Sequence, residues 1–179
     1  MNFLPGTTVE VNKNNSAQAF LDTAFALNGL VLSQVVQLTG LEPYTIQNWV
    51  KRKFIPPPEK KKYGPEQFCR ITIINMLKDI FQIERIVALL QYVCSAQPDI
   101  NDVTVYLAFC DTVSVLPGDT IDAQTDIDGT INKILDKYAL NKEARKRFQE
   151  AIKIMTLAFI SARVKKRADM FLLQIEESY

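Results

Sequence analysis

Three consecutive prolines at positions 56–58, followed by a glutamate and three lysines, interrupt a chain whose remaining pattern is helical. Proline has no amide donor, holds φ at about −65° and pushes the residue before it into extended backbone. No helix can therefore pass through Ile55-Pro56-Pro57-Pro58-Glu59-Lys60-Lys61-Lys62-Tyr63. The chain must fold as helices on either side of a basic loop, with apolar Ile55 and Tyr63 as its anchors.

Upstream, Ser16 can cap a helix in which Ala17, Phe20, Leu21, Ala24 and Leu27 recur at intervals of three and four, ended by Gly29. A short helix over residues 32–38 stops at Thr39-Gly40, and Pro43 can open another that reaches about Lys53. Beyond the loop, Gly64-Pro65-Glu66 reopens helix, with Phe68, Ile71, Ile74, Met76 and Leu77 as a broad apolar face. A further helix spans 82–93. Residues 95–99 read as a linker, 101–113 as helix and 116–120, containing Pro117-Gly118, as a second loop. A helix around 131–138 follows, and Asn141 caps a long one from Lys142 to about Glu176, roughly 50 Å if unbroken. Its residues 154–160 are apolar on nearly every side and are expected to be buried, whereas Arg163, Lys165, Lys166 and Arg167 must face solvent. The expected architecture is all-α, with an N-terminal packing helix in 1–29, a compact helical cluster over 30–94 and a helical C-terminal module over 99–179.

Composition excludes several kinds of function. The chain has 179 residues, 47% hydrophobic and 23% charged, which is ordinary for a globular protein with a sizeable core. Histidine is absent, which removes the usual general base and the commonest transition-metal ligand. Neither a Gly-rich phosphate loop nor a nucleophile–base pair is visible, so neither an enzyme nor a cofactor is expected. Cys69, Cys94 and Cys110 are far apart, without a C-x-x-C pair, and read as reduced core thiols rather than zinc ligands or redox sensors. Asp126-Ile127-Asp128-Gly129 brushes against a calcium loop, but Gln124 stands five before the glycine and Leu135 occupies the position that needs glutamate. No metal is expected. Met1 to Gly6 lacks the features of a signal peptide, and no apolar run is long enough to span a bilayer, so the expected location is cytoplasmic, away from membranes.

The net charge of +1 is unevenly distributed. Residues 1–50 carry −2, residues 51–91 carry +5, residues 92–128 carry −7 with no basic side chain, and residues 129–179 carry +5. Only local fields act on a polyanion across a Debye length of about 8 to 10 Å, so the basic stretch around the proline loop matters more than the average. The second basic stretch, at 142–153 and 163–167, is expected to flank a buried helix segment or to pair with the acids of 99–128.

A short helix, a tight Gly-containing turn and a second helix form a helix-turn-helix pattern, whose second helix can enter a DNA major groove. From Leu32 to Leu90 the order of parts resembles the N-terminal winged helix-turn-helix of the MerR family of bacterial regulators. The counterparts are Thr39-Gly40-Leu41, the helix from Thr45 to Lys53, Phe54 to Pro57, Lys62-Tyr63, Glu66-Gln67-Phe68, and Phe81 to Leu90. The whole chain, through Ile-Gln-Asn-Trp-Val-Lys-Arg, Lys-Lys-Tyr and Ile-Ile-Asn-Met-Leu, also resembles a domain-of-unknown-function family of Gram-positive bacteria with a MerR-like start. The sequence departs from the MerR pattern at Tyr44 and Gln47, where arginines are usual, and at Asn48 and Trp49, where a tyrosine pair is usual. The MerR resemblance implies double-stranded DNA as partner and a role in transcription.

The residues point the same way through charge. Lys51, Arg52, Lys53, Lys60, Lys61 and Lys62 fall within twelve residues opposed only by Glu59. Such side chains at a helix end and on a stiff wing can straddle a phosphate backbone, and Tyr63 can donate to a phosphate oxygen. Tyr44, Thr45, Gln47 and Asn48 lie near the start of the second helix, with Tyr44, Gln47 and Asn48 as candidate base readers; Trp49 is expected to pack between helices. The bland alternatives are a solvated charge run and plain helix surface. In a competing reading the helix-turn-helix is a protein-interaction scaffold without DNA contact. A homodimer through the C-terminal half is expected from the apolar surface of 154–160, unless residues 1–30 cover it.

Overall fold

In the computed structural model of the chain, which describes residues 3–10, 16–116 and 126–176, short polar side chains start several of the helices. The Ser16 hydroxyl accepts from the Ala19 amide at the head of α1 (Ala17–Ala24). The chain turns through Asn28 and Gly29 into β1 (Leu30–Val31), α2 (Leu32–Thr39) and α3 (Pro43–Lys51). Gly40, at φ +67°, makes the turn between these two helices, and Pro43 occupies the first turn of α3, where a missing amide costs nothing. After the proline loop, β2 (Lys62–Tyr63) runs antiparallel to β1, with Leu30 opposite Tyr63 and Val31 opposite Lys62. Then follow α4 (Pro65–Leu77), α5 (Ile83–Cys94), α6 (Asp102–Val115), α7 (Ile127–Leu135) and α8 (Lys142–Glu176). Asn101, Asp126 and Asn141 cap α6, α7 and α8 by accepting from the amides of Thr104, Gly129 and Ala144. The expected all-α class holds, with one two-stranded sheet among the described residues. The loop expected over 116–120 lies almost wholly outside them.

α7 begins a turn earlier than apolar spacing indicates because Asp126 caps it. The calcium-like string is thereby used up structurally: Asp126 holds the helix start and Asp128 pairs with Lys153 at 2.7 Å.

α4 is the centre of the molecule. Eight of its 13 residues are buried, among them Phe68, Cys69, Ile71, Ile73, Ile74 and Leu77 at 0% exposure. A helix apolar all round must be covered all round, and α2, α5, α6 and α8 all pack on it. Phe20 and Phe25 set their rings against Phe68. The segment 3–10 ties down another side: Tyr106 Oη donates to the Pro5 carbonyl at 2.8 Å, and Asn75 Nδ2 donates to Gly6 and Thr39 carbonyls at 3.0 and 3.1 Å. Gly6 is obligatory here, since at φ +74° a Cβ would collide with the Thr72 carbonyl oxygen.

One buried cluster runs from Leu4 to Ala158. The cluster crosses the 95–99 linker, with α4, α5 and α6 all contributing to it. Two separate units would leave α4 half bare.

The first half of α8 buries Ala144, Phe148, Ala151, Ile152, Met155, Thr156 and Ala158. Residues 154–160 are not buried throughout as expected: Ile154 and Leu157 are 41% and 44% exposed, on the face turned from the core. From Ser161 onward the helix is exposed except at half-buried Ala162. Lys153 pairs with Asp128 of the acidic stretch, as expected, while Lys137–Asp111, Arg145–Asp136 and Arg147–Glu143 are further pairs, all within 2.8 Å.

Candidate nucleic-acid interface

α3 turns one face inward through Ile46 and Trp49, exposed by 0% and 4%, so Trp49 is a packing residue as expected. The opposite face carries Tyr44, 76% exposed, with Gln47 and Lys51 exposed one and two turns on and Thr45 and Asn48 half-buried beside them. These five residues of the sequence reading thus share one accessible surface. Arg52 is tied instead: its Nη2 donates to Glu84 at 2.7 Å and its guanidinium lies 4.6 Å over the Phe54 ring. That contact fixes the end of α3 to the start of α5.

α3 ends in a Schellman motif. The Phe54 amide donates to the Trp49 carbonyl at 2.9 Å, the Lys53 amide to Val50 at 3.0 Å, and Lys53 takes φ +62° where glycine is preferred. The chain then drops Phe54 and Ile55 into the core. Gln67 of α4 clamps the proline run behind them: its Nε2 donates to the Pro56 and Pro57 carbonyls at 3.0 and 2.7 Å, while its Oε1 accepts from the Gly64 amide at 2.7 Å. Arg70, one turn further, is held by Asp102 of α6 through Nε–Oδ2 at 2.8 Å and Nη2–Oδ1 at 3.3 Å. Its Nη1 reaches toward the Phe54 carbonyl at 3.5 Å. The root of the proline loop is therefore anchored through α4 to α6.

At the tip, the Lys62 amide donates to the Glu59 carbonyl at 2.8 Å, closing a two-residue turn of Lys60 at φ +46° and Lys61 at φ +63°. Positive φ at both central residues is the signature of a type I′ hairpin turn, which ordinarily takes Asn-Gly because a Cβ there is crowded. Two lysines occupy it instead. Lys62 faces outward, whereas Tyr63, the next residue of the pleat, is only 3% exposed. Tyr63 is thus an anchor of the hairpin and not the phosphate contact expected; strand alternation puts it inward, and burial raises its phenol pKa.

Lys51, Lys53, Lys60, Lys61 and Lys62 are all exposed, and none forms an ion pair among the described residues. An open cleft of about 920 Å³ lies beneath the hairpin, between Pro56, Pro57, Lys60, Lys62 and Gln67. Cys69 is buried beside Cys110, and burial pushes the Cys94 and Cys110 thiols up to about 12, so these sulfurs stay protonated near neutrality. Among the described residues no cluster of Cys, Asp and Glu is arranged to hold a metal ion, and no helix is long and apolar enough to cross a membrane.

Gln67, Arg70 and Asp102 are the site-supporting residues that sequence reading passed over. Gln67 had a signal, since Gln at the third position of a helix is where a capping side chain reaches back to its start. The Arg70–Asp102 pair had none, because its partners are 32 residues apart.

The architecture defines a helical protein with a basic hairpin beside an exposed helix. Its residues 20–109, half the chain, match the family described as domain of unknown function DUF1836, and the chain belongs to that family. The matched stretch runs from α1 into α6, across the linker, and so follows the shared core. The chain is also similar to Uncharacterized protein YkrK of Bacillus subtilis (strain 168), with 39% identity over 75 residues, 40% of this chain and 32% of that protein. The chain thus spans about a third of the length of that curated relative. No solved structure matches the chain.

Proposed function

We propose that the protein binds double-stranded DNA in a sequence-specific manner as a MerR-like winged helix-turn-helix and regulates transcription. In this reading α3 is the recognition helix, and the hairpin of residues 59–63 is the wing. The observation that carries it is the tip of that hairpin, where Lys60 and Lys61 hold left-handed backbone that would be less strained as Asn-Gly. Strain of this kind persists where surrounding structure enforces it, and it concentrates at functional sites. It supports a role for the two charges projected there, on the same molecule as the open face of Tyr44, Gln47 and Lys51.

The roles divide by chemistry. Lys51, Lys60, Lys61 and Lys62 neutralise phosphates and set the register, Gln47 and Asn48 read base edges, and Tyr44 and Thr45 flank them. The test is fluorescence anisotropy on duplex DNA across a salt series. Each lysine on a phosphate releases about one counterion, so replacing Lys60, Lys61 and Lys62 by Ala lowers affinity for all duplexes alike and reduces the slope of log K against log salt by about 2 to 3. An unchanged slope, or no salt-dependent duplex binding by the parent chain, rejects the reading in favour of a protein-binding scaffold.

A further inference from the structure

The carbonyls in the last turn of a helix have no partners within it. At the end of α2 each of them finds one. Val36 accepts from the Gly40 amide at 2.9 Å, inside the turn to α3. The other three are met from far along the chain. Gln37 accepts from Thr8 Oγ1 at 2.8 Å, Leu38 from the Thr8 amide at 2.9 Å and from Oγ1 at 3.2 Å, and Thr39 from Asn75 Nδ2 at 3.1 Å. The same Nδ2 donates to the Gly6 carbonyl, so Asn75 ties both the segment 3–10 and the end of α2 to one point of α4. Lys78 fixes the amide from its other end, Nζ to Oδ1 at 2.8 Å. The segment is itself closed: the Leu4 amide donates to Val9 at 2.9 Å, the Thr7 amide to Leu4 at 3.0 Å, and Thr7 Oγ1 accepts from the Val9 amide at 3.1 Å. It also presses on the turn, where a Cβ at Gly40 would lie 3.1 Å from Thr8 Cγ2.

We infer that residues 3–10 form a strap that seats the recognition helix, with Thr8 and Asn75 as its positioning residues. Only Gly40, Leu41 and Glu42 separate α2 from α3, so the direction in which α2 ends sets where α3 lies. The strap falls outside the family-matched residues 20–109, and the helix-turn-helix therefore borrows its closure from another part of the chain. The seating of α3 stands apart from the DNA reading, and its consequence for binding rests on that reading. Side chains that read a base edge must be held to within about 0.5 Å, so a loosened seat weakens recognition without removing a phosphate contact.

The experiment compares the full-length parent with Thr8→Val plus Asn75→Leu, which removes the side-chain donors and keeps the bulk, and with Thr8→Ser, which keeps the hydroxyl. Measurements are made well below each chain's thermal transition, so that every chain is folded. Trp49, the sole tryptophan, lies on the inner face of α3 at 4% exposure. Acrylamide quenching of its fluorescence is expected to rise severalfold in the double variant and to stay parental in Thr8→Ser. Affinity for a duplex selected on the parent is expected to fall about tenfold in the double variant, with the salt slope unchanged. A double variant that loses thermal stability yet keeps parental quenching overturns the inference, because the strap then only adds stability. Raised quenching with parental affinity overturns it too, as does a Thr8→Ser chain that behaves like the double variant. A parent that binds no duplex rejects the DNA reading alone, and the quenching of Trp49 then decides whether the strap seats α3.

Discussion

Three lysines, Lys53, Lys60 and Lys61, hold backbone that lysine disfavours. Each costs about 1 kcal/mol against a residue suited to the left-handed region, so the hairpin tip can be separated into backbone and charge. Lys60→Asn with Lys61→Gly is expected to stabilise the fold by about 2 kcal/mol in urea titrations while lowering the DNA salt slope by about two. A variant with raised stability and undiminished DNA affinity would show that the tip charges do nothing. Gln47 and Asn48 are separable in another way, because an amide side chain can make paired hydrogen bonds to N6 and N7 of adenine, whereas arginine, usual in MerR proteins at the place of Gln47, suits guanine. The preferred site should therefore lean toward A·T at those steps. Gln47→Ala or Asn48→Ala is expected to cost about 1 to 3 kcal/mol on a selected site and little on random duplex, measured by competition binding. Exposed Gln47 is the better placed of the two, since Asn48 is half-buried.

At the scale of elements, local chemistry was readable and its partners were not. Ser16 and Asn141 cap where the sequence places caps, and the proline run, Thr39-Gly40 and Pro43 bound their elements as residue chemistry requires. The two faces of α3 could be assigned from spacing alone. Spacing leaves Tyr63 readable both as an anchor of the loop and as a phosphate donor, because only the pairing with Leu30 fixes which side of the pleat it takes. The buried ends of the wing clamp were likewise invisible, since Arg70 meets Asp102 only after α6 has docked on α4. Asp102 is 6% exposed, so cutting it back leaves a guanidinium in a largely dry site. Asp102→Ala is expected to destabilise by about 3 kcal/mol, and adding Arg70→Met should recover part of the loss, by a double-mutant cycle in denaturant. Additive losses would mean that the two side chains do not depend on each other.

For the whole molecule, the question is whether the DNA-binding unit proposed here can exist without the C-terminal helices. Apolar residues surround α4, and α6 and α8 cover what α2 and α5 leave open. The same α6 supplies Asp102, so the hairpin's support and the core's closure come from one helix. That dependence follows from α4 being apolar all round, a pattern visible in Phe68 to Leu77. A helix so placed transmits any loss on one side to the other, which makes the described elements one cooperative unit. The full chain is expected to unfold in a single transition whose calorimetric and van't Hoff enthalpies agree. A fragment of residues 1–99 is expected to retain helix by far-ultraviolet circular dichroism without a cooperative thermal transition, because α4 then exposes the surface that α6 and α8 cover. A sharp transition in that fragment would establish two independent cores.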